Sequence, residues 1–148
     1  RTNTSLPLTV SANVDQVTDN PLVMLLSSLV SFEAEFRGKG LILGTDQDKH
    51  ITRLILVDAL SVKALGMTWF QSEKPVSALV DVQKTGVLIQ AEVKESTKIS
   101  LSIDKAPKQV YVDGVLVPSG ALWKYDNRAG KLIVQVEPGK HLVRAITK

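Results

Sequence analysis

Apolar and polar residues alternate with a period of two along most of the chain. Over residues 6–14, Leu6, Leu8, Val10, Ala12 and Val14 share one face, and Thr9, Ser11 and Asn13 share the other. Val30, Phe32, Ala34 and Phe36 alternate with Ser31, Glu33, Glu35 and Arg37. The same pattern returns at Val76–Val82, Val87–Val93, Ile99–Ile103 and Leu132–Val136. Successive side chains of a strand point to opposite faces, so this pattern predicts strands that bury one face and wet the other. The stretch 54–60 differs, since only Asp58 interrupts its apolar run. It reads as a central strand covered on both faces.

Turn chemistry agrees with the strands. Asp113-Gly114 separates Val110-Tyr111-Val112 from Val115-Leu116-Val117. Both turn positions of a two-residue type I′ hairpin need positive φ, which suits this pair. Residues 126–130 read as a longer hairpin loop, and Glu137-Pro138-Gly139-Lys140 as a turn into the last strand. Thr85-Gly86 and Glu95-Ser96 mark two more. Residues 20–29 carry two readings. Asn20 before Pro21 is a helix start signal, giving a short helix near 21–29, and a buried strand fits the same residues. The prediction is an all-β antiparallel sandwich, jelly-roll or immunoglobulin-like, in one domain over residues 1–148.

Composition narrows the function classes. With 148 residues and 44% apolar content, the chain can build one sizeable core. It has no cysteine, which excludes disulfides, thiolate metal sites and cysteine nucleophiles. No run approaches the roughly 18 apolar residues of a spanning helix, so no membrane span is expected. Residues 1–93 hold 8 Lys/Arg against 10 Asp/Glu, and residues 94–148 hold 10 against 5. The basic back half reads as solvated strand-edge lysines rather than as a polymer site. Nucleic acid is not an expected partner, because no run of aromatics accompanies the basic residues.

Candidate chemistry is sparse. His50 and His141 are the two histidines, and neither lies in a G-x-S-x-G or H-E-x-x-H context. Glu33 and Glu35 would stand about 6.5–7 Å apart along a strand, a glycosidase-like separation, but their solvent-facing alternation accounts for them. Asp46 and Asp48 place two oxygen ligands two residues apart on a turn, a candidate calcium site that Lys49 opposes. Asp15, Asp19 and Asn20 form a weaker oxygen cluster. No other cofactor is expected. Trp69, Phe70, Trp123 and Tyr125 are the notable aromatics. Their rings either fill the core and an interdomain contact or stack on sugar rings.

The stretch 69–146 resembles the C-terminal β-sandwich modules of heparinase II/III-like polysaccharide lyases and of some glycoside hydrolases. The carrying pieces are W-F-Q-S-E-K-P-V-S-A-L-V-D-V at 69–82, G-V-L-I-Q-A-E-V at 86–93, V-Y-V-D-G-V-L-V at 110–117 and W-K-Y-D-N-R-A-G-K-L-I-V-Q-V-E-P-G-K-H-L-V at 123–143. The resemblance implies a secreted, periplasmic or cell-surface parent of several domains, from which this chain is a piece. It also implies a catalytic domain as the partner, polysaccharide as the ligand, and no catalytic residue in the module itself. A free-standing carbohydrate-binding module and a structural or adhesion domain are the other readings.

Overall fold

Three long stretches of alternating residues bend at the same level, and that bend organises the molecule. The structure, a computed structural model, describes residues 9–12, 22–25, 33–45, 51–64, 67–120 and 122–148. Strand β5 (Ile51–Ala64) pairs antiparallel with β6 (Met67–Gln83) along most of its length. On the other side of β5 lie β3 (Glu33–Arg37) and β4 (Gly40–Thr45), end to end. Ala34 faces Ala64 and Arg37 faces Ser61, then Gly40 faces Val57 and Leu43 faces Leu54. The break at Gly38-Lys39 meets the irregular part of β5.

The bend has identifiable causes. Leu56 pairs with Ala78 and Ala59 with Val76, so Val57 and Asp58 together oppose Ser77 in a bulge. Asp58 adopts φ +45, donates its N–H to the Ser77 hydroxyl at 3.1 Å and pairs with Lys39 at 3.3 Å. Three residues further, β6 carries the larger excess, because Ala59 and Ser61 pair with Val76 and Gln71. The extra residues 72–75 are held by Ser72, whose hydroxyl bonds the Ala59 and Lys74 carbonyls. Thr97 accepts the Lys74 N–H at 3.1 Å. Pro75 sits in this excess, where a missing N–H costs no ladder bond.

On its side away from β5, β6 serves two neighbours. Its first part pairs with β8 (Thr97–Ser102), which continues to β12 (Lys131–Val136) and β11 (Trp123–Asp126). Its second part pairs with β7 (Gly86–Val93), followed by β13 (Gly139–Ile146), β9 (Gln109–Val112) and β10 (Val115–Leu116). Among the described residues one 13-stranded sheet thus curls into a half-barrel whose two half-sheets enclose the core. It is all-β and antiparallel, apart from β1 (Thr9–Ala12) on β3 and β2 (Leu22–Leu25) on β4, which run parallel.

Among the described residues there is no helix. The helix reading of 21–29 gives way to a strand at Leu22–Leu25, matched residue for residue to Gly40–Leu43. Pairing to an existing strand satisfies the backbone groups that a short isolated helix would leave at both ends.

The core lies between the half-sheets. Phe36, Leu54, Leu56 and Val62 from β3 and β5 meet Phe70, Val76 and Val80 from β6 and Ile99, Leu101 and Leu132 beyond it, all at 2% exposure or less. Two of the sheet's edge strands, β10 and β11, are joined by residues 117–122. Val117 donates its N–H to the Val110 carbonyl and accepts the Trp123 indole N–H at 2.8 Å, and Gln135 bonds the Leu122 carbonyl. Trp123 therefore plugs the seam.

Candidate functional site

The apolar run 54–60 is covered on one face only. Leu54, Leu56 and Ala59 point into the core, while Val57 is 46% exposed and Ile55 half-buried. This corrects the expectation of a strand buried on both sides. Alternation places Ile55 and Val57 on the outer face, and the neighbouring strands continue that face.

Strand register assembles the outer face into rows. The central row crosses five strands as Ile42, Ile55, Leu79, Gln90 and Leu142. All but Gln90 are aliphatic, and Leu142 is 41% exposed. One flanking row runs Arg53, Asp81, Leu88, Arg144, Tyr111 and Leu116. Arg53 and Asp81 pair at 3.7 Å there. The row on the opposite side runs Ser77, Glu92 and Lys140. Between this row and the central one lies an open groove of about 640 Å³, with Asp113 and His141 at one end. An apolar strip bordered by charged and hydroxyl-bearing rows has the layout of a docking face, with a dry centre and a polar rim.

Asp113 and His141 are the site's strongest electrostatic feature. Asp113 opens the β9–β10 turn at φ +52 and reaches across to β13. One carboxylate oxygen accepts the Leu142 N–H at 2.8 Å, and the other lies 2.7 Å from His141 Nδ1. The bond to His141 is the main reason the Asp113 carboxyl sits below the ordinary carboxylate range, with the Leu142 N–H adding to it. The same bond holds the His141 imidazole above its ordinary value. Partial burial works against that rise, and the carboxylate charge and the Glu137 and Pro138 carbonyls reinforce it. Sequence reading found His141 in no catalytic or zinc-binding motif. Its offset of 28 from Asp113 has no motif, and only the β9–β13 register brings the two together.

The aromatic candidates take different places. Phe70 is fully buried and Trp123 is 8% exposed, both within the core. The Trp123 indole N–H is spent on Val117, and the Tyr125 hydroxyl donates to the Ile103 carbonyl at 2.9 Å. Tyr125 and Trp69 are half-buried and pack against the core from its rim. Trp69 is itself an extra residue of β6, since Val62 pairs with Phe70 and Lys63 with Thr68. These four rings do not form one exposed platform: Phe70 offers no accessible face and Trp123 almost none.

Asp46, Asp48 and His50 lie outside the described residues, as do Asp15, Asp19 and Asn20. Among the described residues, no three His, Asp or Glu side chains gather as metal ligands, and no helix is long and apolar enough to cross a membrane. The sandwich is thus a scaffold with one aliphatic outer face and one Asp–His pair at that face's border. In comparisons with known proteins, no family matches the chain and no curated protein does.

Proposed function

We propose that this chain is a non-catalytic accessory β-sandwich domain of a secreted polysaccharide-degrading enzyme. It packs against the catalytic domain through the outer face of β4, β5, β6, β7 and β13 and helps shape the substrate groove. The observation that carries the docking role is the aliphatic row Ile42, Ile55, Leu79 and Leu142, left half-exposed between two charged rows. Half-exposed aliphatics on a flat sheet face gain most when a second apolar surface removes them from water. The polysaccharide connection rests on the resemblance of residues 69–146 to modules of such enzymes. The burial of Phe70 and Trp123 favours the docking role over a free-standing module with an aromatic sugar platform.

The test uses the source reading frame. If it encodes a catalytic domain, that domain is titrated with the chain, and the Leu79→Glu/Leu142→Glu variant is run beside the wild type. Binding should occur and should weaken at least about tenfold in the double variant, whose unfolding midpoint stays near wild type because both positions face outward. Equal binding by the two forms, or a reading frame without a catalytic domain, overturns the proposal.

A further inference from the structure

The tip of the β9–β10 hairpin is weakly held. Strand β10 has two residues and one neighbour, and Val115 and Leu116 are 64% and 54% exposed. The last register pair between β9 and β13 is Val112 with Val143. Past that pair, the hairpin's hold on β13 is concentrated in Asp113. Its backbone N–H donates to the Leu142 carbonyl at 2.8 Å, and its carboxylate takes the Leu142 N–H and His141 Nδ1.

We propose that Asp113 and His141 form a proton-dependent latch that fastens this hairpin tip to the last strand. His141 lies on the core side of β13, in line with Val143 and Ala145, and 23% of its side chain is exposed. Its Nε2 is buried and has no hydrogen-bond partner among the described residues. The ring therefore has one strong partner, the Asp113 carboxylate. The charged groups around it are Asp113 on the hairpin, Glu137 before the turn, Lys140 beside it on β13, and Glu92, which pairs with Lys140, on β7. The Glu137 carboxylate is engaged by Ser96 and Gln135. Of these, the Asp113 carboxylate is the one that favours the imidazolium, since Lys140 and Glu92 project from the opposite face of their strands.

The latch has a defined sign. A raised histidine value means that protonation favours the closed tip. Its contribution is complete below about pH 6.5 and is lost as pH rises through the raised value. The lowered Asp113 value works from the acid side. Its contribution is present above about pH 3.9 and is lost as pH falls through the lowered value. The two statements describe one interaction, so the tip is tightest between those limits. Deprotonation leaves the Nδ1–H bond available and removes the charge attraction, so the latch loosens rather than breaks.

The test is a titration of the whole chain by nuclear magnetic resonance, with the His50→Gln variant assigning the His141 signal. The His141 midpoint should lie above 6.5. The protection factors of the Asp113 and Leu142 amides, corrected for intrinsic exchange, should fall as pH rises through that midpoint, by up to about tenfold per pH unit. Asp113→Asn keeps a residue that tolerates positive φ. In that variant the midpoint should fall below the wild-type one, because its main raising cause is gone while burial still lowers it, and the pH dependence of protection should vanish. A wild-type midpoint at or below 6.5, pH-independent protection in the wild type, or the same dependence in Asp113→Asn overturns the latch.

Discussion

Replacing Trp123 distinguishes a core plug from a ligand platform. The ring is 8% exposed, joins the core cluster, and ties the 117–122 connection to β11 through a 2.8 Å bond to the Val117 carbonyl. Trp123→Ala removes the largest side chain at the seam and opens a cavity that the surrounding strands cannot fill. Truncations of this kind cost about 3–5 kcal/mol. Trp123→Phe keeps most of the apolar area but takes the donor from Val117, for about 1–3 kcal/mol. For a chain of this length each kcal/mol lowers the midpoint temperature by about 2–4 °C. The expected losses are therefore about 6–20 °C for Ala and about 2–12 °C for Phe. Urea and thermal unfolding, followed by far-ultraviolet circular dichroism, measure both variants, with retention on insoluble polysaccharide measured in parallel. If Trp123→Ala unfolds within about 0.5 kcal/mol of wild type while polysaccharide retention disappears, the core-plug reasoning is wrong.

Two glycines with positive φ should respond very differently to alanine. At Gly86, φ is +151 and an added Cβ would run into the Ala145 backbone carbonyl of the paired strand, so Gly86→Ala should cost at least about 3 kcal/mol. At Gly114, φ is +82 and the space around a Cβ is open, so Gly114→Ala should cost about 1–2 kcal/mol. Urea midpoints of the two variants check the order, and equal losses would refute it. Thr97→Val, nearly isosteric and 2% exposed, removes the acceptor for the Lys74 N–H and should cost about 1–3 kcal/mol. Amide exchange should speed up at Lys74 in that variant while the Leu79 amide, within the β6–β7 ladder, stays protected.

Much of the fold was legible because alternation and turn chemistry are local. The faces at 76–82, 87–93 and 132–136 fall within strands, that at 99–103 does so up to Ser102, and Asp113-Gly114 forms its hairpin with φ of +52 and +82. The bend was not legible. Nothing local marks 33–45, 51–64 and 67–83 as three stretches creased at one level. The crease depends on Asp58 meeting Ser77, and on residues 72–75 meeting Ala59 and Thr97, pairs set by register between strands. The same limit hid the Asp113–His141 pair. The second neighbour of β6 also escaped, because one run of alternating residues gives no sign that its first part serves β8 and its second part β7.

Residue type left the aromatics open to a core or a contact role, and the fold buries Phe70 and Trp123 in the core. The chain has seven Phe, Trp and Tyr residues and no cysteine, so large rings are scarce and no disulfide supplements the core. A ring buries about 150–250 Å², more than an aliphatic side chain, and the two half-sheets need such volume where they meet. Phe36 and Phe70 fill the interior near the bend, and Trp123 seals the opposite seam. The partly exposed apolar surface on the outer face of β4, β5, β6 and β13 is therefore aliphatic. Its sequence signal was the run 54–60, where apolar residues continue on the face that alternation assigns to water. A strand written apolar on both faces predicts cover on both, and β5 has cover on one. The mismatch between an unbroken apolar run and a half-exposed outer row is the signal on which the proposed docking role rests.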